Sequence, residues 1–406
     1  MSEGKKPKYH LINDLPHIYE LEDMIRFCEK FKRIYIYGHG ENQEYLLKYF
    51  DMCGIAIEGY VTSWESDTNC SSFLYRKLPI LTIDEAMKRK DTGIILALSD
   101  KYYGYVIPKM REAGFENFFA MSEWNKRSIA SQVKPRSRDM MHFEVSLADH
   151  CNLSCQMCDH YSQLSEKWFV DMEQFEKDMV RMGELFGHQL AYISLLGGEP
   201  TLHPQIARCV EITRREFPEC ELIILTNGVK LLELEHSPYG NLWEVCRKCD
   251  VHITVTVYPI GIDYDGIEKK AREYGVSVAM SSDIHAAEGT KAVKISDKHT
   301  MDLGGNVDKF YCVNCLYFNK FNVLKDGRYY MCPVEAHCNI FNRAFRQNLE
   351  IRSGDCLDIY AVKSWEELAE FSSNYIPFCS YCDLKKWGHY GPWKPSSRKI
   401  EEYIEV

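Results

Sequence analysis

The sequence predicts an α/β protein in which parallel sheets are covered by helices. Short apolar runs rich in Ile, Val and Leu alternate with segments of helical periodicity along two stretches of the 406-residue chain. Such alternation is typical of strands joined by crossover helices, which form parallel sheets. The last part of the chain is instead rich in cysteine. We therefore predict two α/β domains followed by a cysteine-rich domain.

The first α/β block occupies residues 1–125. Its patterns predict three strands, at Arg33–Tyr37, Ile57–Val61 and Asp91–Leu98. They also predict two helices, at Glu41–Asp51 and Val106–Ala113. Gly38 and Gly40 follow the first strand as a partial G-x-G-x-x-G pattern, but no Asp or Glu ends the second strand to hold a ribose. The block resembles Rossmann-like domains of bacterial proteins that modify sugars or surface polysaccharides. This resemblance leaves nucleotide binding and non-catalytic docking both open.

The second α/β block, residues 141–311, follows a polar and basic segment, residues 126–140, that contains a proline and predicts a linker. The expected strands of this block are Phe143–Leu147, Leu190–Leu196, Leu222–Leu225, Val251–Val257, Val276–Ala279 and a weaker sixth strand at Asp308–Tyr311. The expected helices are Phe175–Phe186, Ile206–Phe217, Leu242–Cys249 and Ile267–Tyr274. In such sheets, ligands bind at the carboxyl ends of the strands.

Three cysteines with the spacing C-x3-C-x2-C follow the first strand of this block: Cys151, Cys155 and Cys158. A [4Fe–4S] cluster normally takes four thiolates, so a triplet leaves one iron open to an outside ligand. Structural cysteines or a zinc site are the alternative, although zinc sites more often pair C-x2-C with a distant second pair. The spacing resembles that of the radical S-adenosylmethionine (SAM) superfamily. This resemblance implies a partial (β/α)6 barrel, with SAM bound to the open iron and cleaved to a 5′-deoxyadenosyl radical.

A turn of Gly197, Gly198 and Glu199 follows the next strand directly, about forty residues after the cysteines, which is within the usual length of a βαβ unit. In the superfamily that the chain resembles, a Gly-Gly-Glu-Pro turn binds the amino group of SAM. Asn227 and Thr256 end the third and fourth strands at the same edge. The resemblance implies that Thr256 bonds the ribose of SAM, whereas a buried threonine without a ligand is the alternative.

The C-terminal domain, residues 312–406, combines a predicted hairpin at Lys325–Arg328 with several cysteines. Gly327-x4-Cys332 and a later C-x2-C pair resemble the single-auxiliary-cluster (twitch) domain of radical SAM enzymes. The resemblance implies one auxiliary [4Fe–4S] cluster with the ligands Cys315, Cys332, Cys379 and Cys382. Cys312 competes with Cys315, since both precede the hairpin. Zinc is the alternative metal for this group.

Composition restricts the classes of function. With 45% hydrophobic residues the chain can bury a sizeable core, and a net charge of −10 disfavours a general nucleic-acid or anionic-membrane binder. The sequence contains no apolar stretch long enough to span a membrane and no apolar leader. Seventeen cysteines then indicate reduced thiols and metal ligands, and a cytoplasmic location.

These features together predict a radical SAM oxidoreductase with a small-molecule substrate, either a carbohydrate or a nucleotide-linked sugar. Dehydrogenation and epimerisation are both open, and no catalytic residue is predicted. We also expect a reducing protein such as flavodoxin or ferredoxin as partner. Modification of a ribosomally made peptide is an alternative function, and a non-catalytic iron–sulfur binding or regulatory protein is an alternative of another class.

Overall fold

The computed structural model of the protein describes residues 18–38, 41–62, 78–281, 295–315 and 317–404. Its first domain is built on a five-stranded sheet in which every pair of neighbouring strands is parallel, in the order β3-β2-β1-β4-β5. The strands are β1 (Arg33–Tyr37), β2 (Gly59–Thr62), β3 (Ile80–Thr82), β4 (Thr92–Leu96) and β5 (Phe118–Ala120). The helices are α1 (Ile18–Glu29), α2 (Glu41–Cys53), α3 (Ile83–Met87), α4 (Tyr103–Glu112) and α5 (Glu123–Val133).

The glycine turn after β1 lies at the point where the strand order reverses, between β1 and β4. Gly38 has φ 134°, and a Cβ there would stand 2.7 Å from the carbonyl oxygen of Ala97, so this position requires glycine. The rest of the turn, His39 and Gly40, lies outside the described residues. The expected parallel sheet is thus confirmed.

The prediction of a linker over residues 126–140 is wrong for its first half, because α5 continues to Val133. Ile129 and Val133 are buried in the core, which gives this polar segment an apolar face. The Asn319 amide also donates to the carbonyl oxygen of Lys134 at 3.0 Å. The connection between the two domains is therefore limited to residues 134–140, which contain no α-helix.

The second sheet contains the predicted parallel strands, which lie in chain order as β10-β9-β8-β7-β6. They are β6 (His142–Ala148), β7 (Tyr192–Gly197), β8 (Glu221–Thr226), β9 (Val251–Thr256) and β10 (Ser277–Ser281). One face of these strands packs on the apolar sides of α6 (Met172–Phe186), α7 (Ile206–Glu216), α8 (Leu242–Lys248) and α9 (Tyr264–Tyr274). This architecture confirms the expected partial-barrel fold class and brings the carboxyl ends of all five strands to one edge.

The sixth strand predicted at Asp308–Tyr311 is wrong. Asp308 caps a helix there, α10 (Lys309–Val313), by accepting a hydrogen bond from the amide of Phe310 at 2.8 Å. Aspartate at this position favours a helix start over a strand. A further parallel strand, β12 (Val323–Lys325), instead joins the opposite edge of the sheet, next to β6.

The C-terminal part extends this sheet and adds a separate two-stranded one. Strands β13 (Arg328–Tyr330) and β14 (Cys356–Asp358) continue antiparallel from β12, and Asp326 and Gly327 turn the hairpin with φ of 49° and 71°. Two positive φ angles are what an Asp-Gly turn provides. The remaining elements are β11 (Ile295–Met301), which pairs with β15 (Cys382–Pro392), and the helices α11 (Pro333–Ala336), α12 (Cys338–Phe345) and α13 (Trp365–Ser372).

The first domain docks on the C-terminal part. The Asn314 amide donates to the buried Tyr49 hydroxyl of α2 at 2.8 Å, and Lys48 pairs with Glu370 of α13 at 3.0 Å. Among the described residues, no helix has both the length and the apolar character needed to cross a bilayer.

Candidate functional site

The cysteine triplet lies on the loop that leaves the carboxyl end of β6. Cys151, Cys155 and Cys158 are all half-buried, and none of them forms a disulfide. The Sγ atom of Cys151 accepts hydrogen bonds from the Leu153 amide at 3.3 Å and the Asn227 side-chain amide at 3.5 Å. Donors aimed at a sulfur stabilise a thiolate, so this loop suits a metal ligand.

The Gly197–Gly198 turn is bound directly to the start of this loop. The Gly198 amide donates to the carbonyl oxygen of Ala148 at 2.6 Å. A Cβ on Gly197 would stand 2.3 Å from that oxygen, and one on Gly198 would stand 2.2 Å from the carbonyl oxygen of His150. The two glycines are therefore required because the backbone of the cysteine loop passes against them.

Glu199 is buried beside the turn, and both of its carboxylate oxygens accept hydrogen bonds. One oxygen accepts from the Thr201 amide at 3.0 Å, the Thr201 hydroxyl and the Thr226 hydroxyl at 2.6 Å. The other accepts from the Asn227 amide at 2.8 Å. Burial raises the pKa of Glu199, and these donors oppose that rise. The carboxylate is thus fixed between the ends of β7 and β8.

Asn227 joins this carboxylate to the cysteine loop. Its backbone amide bonds Glu199, while its side-chain amide reaches Cys151 and donates to Asn152 at 2.7 Å. The site residues expected after β7 and β8 therefore meet the first cysteine of the triplet.

Thr256 is the last residue of β9 and is half-buried at the same edge. Tyr258, two residues further, contacts the triplet more directly, because it shares a hydrogen bond with Cys155. Burial raises the pKa of the Tyr258 hydroxyl, and the neighbouring cysteines raise it further. Tyr258 directly follows the strand predicted at Val251–Val257, but no role was predicted for it.

The C-terminal tail covers the cysteine loop, a contact that no local pattern indicates. The Gln156 amide donates to the carbonyl oxygen of Lys394 at 2.9 Å, and the Ser396 amide donates to that of Ser154 at 2.8 Å. The Trp393 ring packs on Tyr258, with ring centroids 5.6 Å apart. The loop that carries the triplet is therefore held from both sides.

Two polar residues follow the third cysteine. His160 bonds Asp159 at 2.9 Å and also bonds the thiol of Cys158. Burial acts to raise the pKa of Cys158, but the hydrogen bond and the charge of His160, together with the Ser162 amide, leave this pKa below its usual value. No function was predicted for these two residues, although both lie within two positions of the predicted ligand Cys158.

A second group of cysteines surrounds a small apolar cavity in the C-terminal part. The four predicted ligands, Cys315, Cys332, Cys379 and Cys382, and the competing Cys312 all line it, together with Tyr317, Phe318, Met331 and Phe378. The cysteines come from four separate segments of the chain. Cys312 and Cys315 lie in α10 and just after it, Cys332 lies two residues after β13, Cys379 lies in a short turn at Pro377–Tyr381, and Cys382 begins β15.

Hydrogen bonds distinguish Cys312 from Cys315. The Cys312 thiol faces backbone acceptors, the carbonyl oxygens of Cys379 at 3.1 Å and Asp308 at 3.4 Å, which requires a bound proton. The Sγ atom of Cys315 instead accepts from the Tyr317 amide at 3.4 Å. An acceptor environment suits a thiol and a donor environment suits a thiolate, so Cys315 fits a metal ligand better than Cys312.

Burial raises the pKa of each of the four remaining thiols, Cys315, Cys332, Cys379 and Cys382, and for Cys379 and Cys382 the neighbouring cysteines raise it further. Four thiols that line one apolar cavity would be neutral without a cation, and a metal that binds them replaces their protons. The donor set therefore fits either an iron–sulfur cluster or zinc.

Residues 145–248 match the family model of the Radical SAM superfamily. They contain the triplet, the glycine turn, Glu199 and Asn227. The chain therefore carries a radical SAM domain, and its cofactors are a [4Fe–4S] cluster and SAM. Enzymes of this superfamily cleave SAM and perform radical chemistry.

Several solved structures resemble the protein at low sequence identity. BtrN in complex with AdoMet and 2-DOIA is 14% identical with a TM-score of 0.38, over 65% of this chain and 98% of that chain. Native anSMEcpe with bound AdoMet is 18% identical with a TM-score of 0.27, over 34% of this chain and 42% of that one. Streptococcus suis SuiB bound to S-adenosylmethionine is 15% identical with a TM-score of 0.24, over 49% of this chain and 55% of that one. No curated protein shows significant sequence similarity to the chain.

Proposed function

We propose that the protein is a radical SAM oxidoreductase that holds one auxiliary [4Fe–4S] cluster and oxidises a hydroxyl-bearing small molecule, a carbohydrate or a nucleotide-linked sugar. The observation that carries this proposal is the convergence of Cys315, Cys332, Cys379 and Cys382 on one cavity beside a radical SAM domain. Four thiolates saturate a cubane cluster, which leaves it no open iron for a substrate. Its use is then to accept or pass an electron.

The contacts at the strand ends support the following roles toward SAM. Cys151, Cys155 and Cys158 hold the first cluster, with Asn227 donating to one of its sulfur ligands. Glu199 receives the ammonium of SAM at the oxygen that bonds the Asn227 amide, since a carboxylate oxygen offers a second lone pair. Thr256 bonds the ribose from the end of β9.

Oxidation of an alcohol at a carbon radical releases one proton and one electron. The auxiliary cluster is the acceptor for that electron, which favours dehydrogenation. Epimerisation needs a thiol that returns a hydrogen atom to the substrate, and Cys312 is a thiol that remains outside the proposed ligand set. A reducing protein such as flavodoxin or ferredoxin supplies the electron for SAM cleavage.

The first domain supports a sugar substrate over a peptide. Radical SAM enzymes that modify ribosomal peptides usually carry a winged-helix domain, whereas the described residues form a parallel sheet in the order β3-β2-β1-β4-β5. One buried atom, Oε2 of Glu144, also has no hydrogen-bond partner among the described residues, and its carboxylate interacts electrostatically with Asp159 and His160. A hydroxyl group of a substrate can supply such a partner.

Anaerobically purified protein that lacks Cys151, Cys155 and Cys158 tests the auxiliary cluster. It should retain about four irons per chain and a reducible cubane signal in electron paramagnetic resonance (EPR). Stoichiometric zinc without iron would remove the electron acceptor and contradict the proposal. The intact protein, supplied with SAM, a reductant and a panel of nucleotide-linked sugars, should consume SAM faster with a substrate than without one; faster consumption with peptides alone would favour the alternative substrate.

A further inference from the structure

A side-chain hydrogen bond joins the loop of the first cysteine group to that of the second. The hydroxyl of Tyr317 donates to the carboxylate of Asp159 at 2.8 Å, although 158 positions separate them in the sequence. Asp159 directly follows Cys158, and the backbone amide of Tyr317 donates to the Sγ atom of Cys315 at 3.4 Å. Asp159 is therefore linked to the first cysteine group by a peptide bond, and Tyr317 is linked to the second group by a hydrogen bond.

The surroundings hold this bond in one geometry. The second oxygen of Asp159 accepts from His160 at 2.9 Å, so both carboxylate oxygens are fixed. The Tyr317 ring lines the apolar cavity of the second group and packs edge-on against Phe321 at 5.4 Å. A hydrogen bond to a charged group is among the stronger kinds.

We infer that the Tyr317–Asp159 hydrogen bond is the electron path between the two clusters, an inference that depends on the auxiliary cluster of the proposed function. The route runs from the Sγ atom of Cys315 across its hydrogen bond with the Tyr317 amide, then through the Tyr317 side chain and its hydrogen bond to Asp159, and finally along the chain to Cys158. Electrons tunnel more efficiently through covalent and hydrogen bonds than across a van der Waals gap of equal length. An electron that reaches the auxiliary cluster thereby returns to the first cluster for another SAM cleavage.

Protein with both clusters reduced, freed of excess dithionite and mixed anaerobically with SAM alone, measures this transfer. One electron breaks the C5′–S bond of one SAM to give methionine, and the deoxyadenosyl fragment then takes a hydrogen atom from an organic donor in the buffer such as glycerol. The first equivalent of 5′-deoxyadenosine uses the electron of the first cluster. The second equivalent requires the electron of the auxiliary cluster, so a second phase should accompany the loss of the auxiliary EPR signal.

In Tyr317→Phe we expect the second phase and the decay of the auxiliary signal to slow severalfold, while the first phase keeps its rate. Tyr360→Phe is the matched control, because Tyr360 donates a hydrogen bond to a different carboxylate, Asp178 at 2.6 Å. Asp159→Leu should slow the second phase like Tyr317→Phe, whereas Asp159→Asn keeps an acceptor oxygen and should preserve it.

Iron counts separate the two ways in which the idea can fail. Variants that retain both EPR signals but show the wild-type second phase would overturn the inference and leave the proposed function standing. A protein without iron in the C-terminal group would overturn the proposed function itself. If Tyr317→Phe assembles poorly, equal second phases in Asp159→Leu and Asp159→Asn would overturn the inference as well.

Discussion

The two cysteine groups of this protein are built in opposite ways. Cys151, Cys155 and Cys158 lie on one continuous loop after β6, whereas the C-terminal group collects its thiols from four segments. The first group is half-buried and bordered by polar residues such as Glu199 and Asn227. The second joins the buried Cys332 and Cys382 with the half-buried Cys315 and Cys379 around an apolar cavity.

This difference corresponds to a difference in chemistry. Three cysteines with polar neighbours leave a coordination position for a ligand that carries an ammonium and a carboxylate. Four cysteines in an apolar cavity close the coordination of a cluster and exclude other ligands. One group is therefore suited to bind a reactant, and the other to store an electron.

The largest expected effect tests the first group. Replacing Cys151, Cys155 and Cys158 together with alanine should remove about four irons per chain and abolish SAM cleavage, because the remaining loop offers no thiolate. Iron analysis and 5′-deoxyadenosine formation measure the result. An unchanged iron content would show that these cysteines bind no cluster.

The second prediction separates two cysteines of the C-terminal group. Cys315→Ala should lose about four of about eight irons, since it removes a ligand of one of two cubanes. Cys312→Ala is the matched control and should keep them, because its thiol donates to backbone carbonyls. Iron loss in Cys312→Ala and not in Cys315→Ala would reverse the assignment.

The third prediction concerns Glu144 in β6, the strand that leads into the cysteine loop. Burial raises the pKa of Glu144 from 4.5 to about 7, so the folded protein binds this proton more tightly than the unfolded chain. The free energy of unfolding should therefore fall as pH rises through this range, and Glu144→Gln should remove the fall. At pH 8 the variant should be more stable by about 3 kcal/mol, and below pH 4 the two should agree. Urea unfolding at several pH values measures this, and parallel curves for both proteins would contradict it.

The fourth prediction tests the polar border of the first group. Glu199→Gln removes the charge that faces the SAM ammonium, so SAM affinity should fall by about 2 kcal/mol, roughly thirtyfold. The absorption spectrum of the cluster should stay unchanged, since Glu199 is not an iron ligand. Equal affinity for SAM in the variant and the wild type would exclude Glu199 from the binding site.

The smallest expected effect belongs to Thr256. Thr256→Val keeps the shape of the side chain and removes its hydroxyl, so the loss of one neutral hydrogen bond to the ribose should weaken SAM binding by about 1 kcal/mol, roughly fivefold. Calorimetric titration with SAM measures the change. Unaltered binding would leave Thr256 a buried threonine at a strand end.

Local patterns allowed most of the first group to be predicted. The cysteine spacing, the Gly-Gly-Glu turn and the strand ends at Asn227 and Thr256 are each contained in a few consecutive residues. The alternation of strands and helices then places all of them at one edge of a parallel sheet. Errors arose where a local pattern was ambiguous, as at Asp308, which caps a helix, and at Val133, which ends one inside the expected linker.

The sequence by itself determined the parallel sheets and the triplet, because short-range patterns encode them, while the candidate ligands of the second group followed from the resemblance to an auxiliary-cluster domain. Only the tertiary structure distinguished Cys315 from Cys312, paired the C-terminal tail with the cysteine loop, and brought Tyr317 to Asp159. These contacts join residues far apart in the chain, and their partners depend on how whole elements pack. A hydrogen bond across 158 positions has no local pattern from which it can be predicted.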